Sequence, residues 1–350
     1  MTPPESQSFQ DVLVHYTSAQ GLEGILRSNT LWATHSSYTN DEEELQTWKK
    51  MLDRFYETRF WETPQFKNLN FSIEFTEKGK GEENGWRTAL ECIKEMLIKA
   101  DEHGEENGWR TALECIKEAL ITTDEQQEAK TYIFSFSQNK KTEKHIQNNG
   151  RLSQWRAYGD YGIVFNKIEF KNLVYTIPSF LLDPVSYVNV DEPLEKGGKI
   201  YQRFRGLLIT TALTLNEEID TQSLKTALQT LFPEDYKNDE AHPLVYYAKI
   251  SPFIKNIGFE EENEYRLSIF NSKSSSKQHT ERLTIRRHRI IPYVDVFEHA
   301  PLHHPLPIEK ILIGPAPAGE QAERKKMVET LLRHLKKDIP VHCSAIPYRG

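Results

Sequence analysis

The chain has 350 residues, 44 Lys and Arg against 51 Asp and Glu, and a formal net charge of -7, with 38% hydrophobic and 27% charged residues. This balance argues against a broad basic surface for nonspecific nucleic-acid binding, and a mean hydropathy of -0.63 without a bilayer-length apolar run argues against membrane-spanning helices. Cys92, Cys115 and Cys343 form neither a disulfide framework nor a zinc pattern, so reduced thiols and no metal are expected. A cytoplasmic location is expected as well, since the N-terminus has no charged and apolar leader.

The first element is a strand over residues 12–17. By the period of two, Leu13, His15 and Thr17 share one face, pointing into a cleft, and Val12, Val14 and Tyr16 share the other, packing on the core. Ser18 then caps a helix carrying Leu22, Ile25 and Leu26 at helical spacing, which Asn29 stops before a short strand at 30–34. Residues 81–103 recur almost unchanged as 104–126, a tandem duplication with Trp86, Leu90 and Ile93, or Trp109, Leu113 and Ile116, on one helical stripe. It predicts a helical hairpin inside an insertion at 50–128, packing on the core or offering a surface to a protein partner.

Further along, 132–137 reads as a strand with Tyr132, Phe134 and Phe136 on an inner aromatic face and Ser135 and Ser137 on the opposite one. Residues 151–165 read as an aromatic, glycine-punctuated loop running into a strand. Trp155 and Tyr158 either stack on a flat ligand ring or anchor the loop, and Arg156 has the planar fork that suits a diphosphate. Helical patterns follow at 199–215 and 221–231, then a strand at 246–250. Clean alternation from Asn263 places Tyr265, Leu267 and Ile269 inward and Glu260, Glu262, Glu264 and Arg266 on the other face, either an acidic site or a solvated edge. Strands at 282–285, 290–296 and 310–313, a helix at 320–335 and a last strand at 341–346 complete one α+β domain over residues 1–350. Two basic stretches, Lys140, Lys141, Lys144, His145 and Arg151, and Arg282, Arg286, Arg287, His288 and Arg289, are either solvated loops or phosphate contacts.

The His-x-Thr strand, the Ser-x-Ser strand and the Glu-x-Glu strand, in that order, resemble the ADP-ribosyltransferase-like superfamily. More narrowly, the chain resembles a bacterial family of unknown function within it. The shared motifs are His-Tyr-Thr-Ser at 15–18, Leu-Trp-Ala-Thr at 31–34, Asn-Asp-x-x-Glu at 40–44, Leu-Ser-Gln-Trp-Arg at 152–156, Phe-x-x-Glu-x-Glu-x-Arg at 259–266 and Ile-Gly-Pro at 313–315. The resemblance implies a split β-sandwich of mostly antiparallel strands flanked by helices, with the helical hairpin inserted. It departs from a single pattern, because His in the first strand belongs to one branch and Ser-x-Ser with Glu-x-Glu to another.

The resemblance also implies NAD as substrate and transfer of ADP-ribose to a macromolecule, nucleic acid or protein, as in a toxin or an antiphage defence effector. Glu264 would stabilise the oxocarbenium-like transition state, Glu262 would align or deprotonate the acceptor, and His15 would bind a ribose hydroxyl. Thr17 and Ser135 would hold these groups, Tyr16 or Trp155 would shield the nicotinamide, Ser137 would orient Glu264, and Arg156 and Tyr158 would contact the dinucleotide. Two alternatives stay open at this stage: NAD hydrolysis by the same site, and a noncatalytic binding module on the same fold.

Overall fold

A computed structural model describes residues 11–38, most of 129–201 and most of 251–348, with scattered positions between 47 and 58. The duplicated hairpin, the motif at 40–44, the helix at 221–231, the strand at 246–250 and nearly all of 199–215 lie outside the described residues, as do Cys92 and Cys115.

In chain order the described elements are β1 (Val12–Thr17), α1 (Ala19–Ser28), β2 (Trp32–His35), β3 (Ala129–Asn139), α2 (Lys144–Asn149), α3 (Leu152–Tyr158), β4 (Tyr161–Asn166), α4 (Lys167–Val174), β5 (Phe180–Pro184), β6 (Ser186–Val188), β7 (Ile254–Asn256), β8 (Glu264–Ser272), β9 (Arg282–Arg286), β10 (Arg289–Asp295), β11 (Ile308–Ile313), α5 (Ala318–His334) and β12 (Val341–Cys343). The local signals behind α1 act as their chemistry requires. The Ser18 hydroxyl accepts the Gly21 amide, and Asn29 ends the helix in the left-handed conformation at φ 54°.

The architecture is α+β. Ten strands form one sheet in the order β12-β11-β4-β1-β3-β2-β10-β9, with β8 on the opposite edge of β3 and β5 outside β8. The pairs are antiparallel except β11 with β12, which α5 connects, and β6 and β7 form a separate parallel pair.

Both faces of the sheet are covered at β1. Leu13 joins Phe134, Phe136, Tyr265, Leu267, Ile163 and Phe165 in the main core, sealed by Leu22, Ile25 and Leu26 of α1, Phe170 of α4 and Val328 and Leu332 of α5. Val12, Val14 and Tyr16 meet Trp155, Val164 and Leu312 in a smaller cluster on the other side. The sequence expectation therefore reverses: the face that carries His15 looks toward the larger core, and the Val12, Val14 and Tyr16 face closes a satellite cluster under α3. Hydrophobicity alternates only where one face meets water, and here neither does.

Residues 151–165 are also a correction. They form helix α3 before β4, not a loop, with Gln154 and Trp155 buried. Glycines flank the helix and lie outside it, Gly150 at φ +74° and Gly159 at φ +135°. A Cβ on Gly150 would stand 2.7 Å from the Trp155 ring, so this position needs glycine for its backbone and for the space. Gly150→Ala is expected to lower stability by about 1–3 kcal/mol, read as a drop in the urea midpoint with an unchanged slope.

Candidate active site at the open edge of β3

Strand β3 is the longest of the sheet's central strands, and its two edges are used differently. One edge pairs with β8 continuously from Ala129↔Ser272 to Ser137↔Glu264. The other pairs with β1 only at Val12↔Asn139, Leu13↔Gln138 and Val14↔Ser137, and with β2 at Thr34↔Ile133 and His35↔Tyr132. Between these ladders no strand among the described residues lies beside the backbone of Phe134, Ser135 and Phe136 on this edge.

His15 fills that opening. Its Nδ1 donates to the Ser135 carbonyl at 2.9 Å, taking the place of a ladder hydrogen bond, and its ring stacks on Phe134 at 4.2 Å between centroids. Burial lowers its pKa, the Ser135 carbonyl partly offsets this, and the nearby Arg286 guanidinium lowers it again, leaving it at about 4. The ring is therefore neutral at pH 7, with Nδ1 protonated and the lone pair on Nε2. Arg286 reaches this opening from the edge hairpin β9–β10 and donates to Thr34 Oγ1 at 3.3 Å.

Register parity places the remaining polar residues on the opposite face. Ser137 faces Glu264 across the β3–β8 ladder, Ser135 faces Arg266, and Val14 shares their side. There a buried charge cluster forms. Glu264 accepts from Arg266 Nε at 2.7 Å and Nη2 at 2.9 Å in a bidentate pair, with Lys255 Nζ at 3.5 Å. Glu264, Arg266 and Lys255 are 8%, 2% and 4% exposed, so none of these charges has water as an alternative partner. Burial alone would raise the Glu264 pKa; Arg266 and Lys255 overcome it, aided by the Ser135 hydroxyl, and hold it at about 2. Burial would likewise pull Lys255 down, and Glu264 and Glu262 keep it above the usual lysine value.

Glu262 does not lie one strand period before Glu264. It ends a 3-10 helix, Ile257–Glu262, which Asn263 stops in the left-handed conformation at φ 44° before β8 begins. The Asn256 side chain caps that helix, so the acidic run is helical and not a strand edge. Glu262 nevertheless comes to the same cluster, accepting from Tyr158 Oη at 3.1 Å and Lys255 Nζ at 2.8 Å. Ser137 Oγ donates to the Glu262 carbonyl at 2.8 Å and so positions Glu262, where the sequence suggested Glu264.

The predicted residues thus divide. Ser135, Ser137, Tyr158, Glu262 and Glu264 gather on one face, and His15 lies in the opening with Thr17 on the core side. Thr17 packs so tightly over Gly21 that a Cβ there would meet its Oγ1 at 2.0 Å. Tyr16 is buried, its hydroxyl accepting the Arg151 amide at 2.8 Å, and Trp155 sits edge-on to it at 4.6 Å with its indole N–H donating to the Asn149 carbonyl at 2.9 Å. Both anchor the α2–α3 turn and neither is placed to stack on a ligand. Arg156 is exposed. In the first basic stretch, Arg151 is committed to Asn139, the Gln138 carbonyl and Glu143.

Lys255 and Tyr187, whose hydroxyl accepts the Glu264 amide at 2.7 Å, escaped the sequence reading. They come from β7 and β6, two three-residue strands with no motif to mark them. No family model, curated protein or solved structure matches the chain.

Two measurements follow from the ionisation states. A depressed folded-state pKa contributes stability above the unfolded value that is lost as pH falls. For Glu264 the window runs from 4.5 down to about 2, so Glu264→Gln should flatten the acid limb of the stability profile there. At neutral pH the same substitution should cost about 3–5 kcal/mol, because Arg266 and Lys255 lose their counter-charge. For His15 the window runs from 6.5 down to about 4, and His15→Asn should remove the loss of stability that the native chain shows across it in urea titrations.

Proposed function

We propose that the chain is an ADP-ribosyltransferase-like enzyme that takes NAD as substrate and passes ADP-ribose to a macromolecular acceptor, its sheet being a split β-sandwich opened at the free edge of β3. The observation that carries this reading is Ser135. Its carbonyl fixes neutral His15 in the opening, and its hydroxyl helps to keep the Glu264 carboxylate ionised from the other face. The three strand motifs that the superfamily resemblance names are thereby joined through one residue.

In the reaction the bond between the nicotinamide nitrogen and ribose C1′ breaks, nicotinamide leaves with the electron pair, and an acceptor lone pair forms the new bond to C1′. The lone pair on His15 Nε2 accepts from a ribose hydroxyl, and Arg286 beside it neutralises the diphosphate. Glu264 lies on the other face of the sheet and reaches the cationic sugar only through its field across the strand pair. Glu262, on that same face beside Tyr158 and Lys255, does not meet the acceptor, whose proton passes to solvent. With water as acceptor the same steps give NAD hydrolysis.

A second reading, a noncatalytic module that binds a nucleotide, is favoured by the bidentate Arg266 and by Lys255. Two cations already compensate the acid that the reaction needs, and a neutralised carboxylate stabilises a developing cation poorly.

The deciding experiment incubates the native chain with NAD labelled in the adenosine half, with and without nucleic acid and protein fractions, beside His15→Ala and Glu262→Gln. Nicotinamide release with label on a macromolecule, reduced at least tenfold in His15→Ala and retained in Glu262→Gln, is the expected result. Release without transfer identifies the hydrolase. Calorimetric binding of NAD that His15→Ala abolishes, without release, identifies the module; neither release nor binding overturns the NAD reading altogether.

A further inference from the structure

Away from the β3 opening, at the other end of the sheet, His279, Glu298 and His299 each bring one potential ligand atom within 4.8 Å of the others. His279 lies in the connection between β8 and β9 and is buried; Glu298 and His299 follow β10 and are half-buried and exposed. We infer that these three side chains form a site for a divalent transition metal, with Zn2+ the best match to two imidazoles and one carboxylate.

The support is in how the rings are held. His279 Nδ1 lies 3.0 Å from the Asp295 carbonyl and His299 Nε2 lies 2.7 Å from the Gln278 carbonyl. A carbonyl only accepts, so each of these nitrogens carries the proton, and the lone pairs are left on His279 Nε2 and His299 Nδ1. Imidazole ligands of metals are characteristically oriented in this way, by donating the second ring nitrogen to a backbone carbonyl. The two rings stand 5.0 Å apart between centroids and 59° from coplanar, so they are not stacked on each other, and the far side of the His279 ring is backed by Phe180 at 5.8 Å.

Glu298 is fixed from behind, accepting the Thr280 amide at 2.7 Å on one oxygen and Arg282 at 3.2 Å on the other, with the Thr280 hydroxyl as a further donor, and the oxygen toward Arg282 keeps a lone pair for a metal. Ligand atoms around tetrahedral zinc stand about 3.3 Å apart, so binding draws the three groups, now within 4.8 Å of one another, together by about 1.5 Å at most. His299, exposed on the turn after β10, is the group that makes that movement. Three protein ligands leave one position for water or an anion. The metal would tie residues 278–281 to the turn after β10, and so fix the base of the hairpin that carries Arg286.

The test uses the full chain after chelator treatment, titrated with ZnCl2 by calorimetry and with CoCl2 by visible absorption. One equivalent is expected to bind, with the intense visible bands of four-coordinate cobalt, and His299→Ala and Glu298→Gln should each weaken binding at least tenfold. Both positions are at or near the surface, so these variants should fold; circular dichroism checks this, where His279→Ala is less secure. His303 and His304 follow closely in the sequence, and a His303→Ala/His304→Ala chain should bind as the native one does. Binding that survives in His299→Ala and Glu298→Gln, or that disappears with His303 and His304, overturns the assignment, as does no binding at all.

Discussion

The ladder between β3 and β8 is the constraint on which the rest of the molecule hangs. It is long, continuous and antiparallel, and it sets side-chain parity for every strand that joins later. Because Phe134 and Phe136 must face Leu267 and Tyr265 in the core, Ser135 and Ser137 are forced to the side of Arg266 and Glu264. A slip of one residue would drive the charges into the aromatic core and set the aromatics among buried ions, so the register is strongly specified. The opposite edge of β3 is free to be only partly paired because this one is complete.

The charge cluster follows from that parity. Four ionised groups, Glu262, Glu264, Lys255 and Arg266, meet beneath α3 and the 3-10 helix, and their signs cancel in pairs. Such an arrangement adds little net stability over an apolar equivalent, since desolvation consumes most of the Coulombic gain. Its value lies in orientation: Arg266 also donates to the Pro252 carbonyl at 2.5 Å, so the guanidinium pins the segment before β7 to the centre of the sheet. A chain under pressure only for stability would have little reason to keep it.

Much of the fold was legible because local signals and burial agreed. Ser18 and Asn29 bracket α1 as capping chemistry demands, and Tyr132, Phe134 and Phe136 show the inner face of β3 directly. The strands near 282, 290 and 310 fall within two residues of their expected starts. The failures have separate physical causes. The acidic run before β8 alternates acceptably as a strand, yet the Asn256 cap and a left-handed Asn263 make it a 3-10 helix. Gly159 read as loop punctuation because sequence does not distinguish a glycine that ends a helix from one that interrupts a loop. Trp155 was ambiguous until its partner Asn149 was visible. The spatial division of His15 from Glu264 could not be read at all, because it depends on which residue of β1 stands opposite which residue of β3.

That division has a geometric consequence. The histidine and the carboxylate do not converge on a shared point in space; they are connected across the thickness of the sheet by a single peptide plane and the side chain it bears. An occupant of the opening meets His15 and the Ser135 carbonyl on one side of the sheet, while the Ser135 hydroxyl serves Glu264 on the other. One residue of one strand therefore borders both sides of the sheet, with a fully paired neighbour beside it.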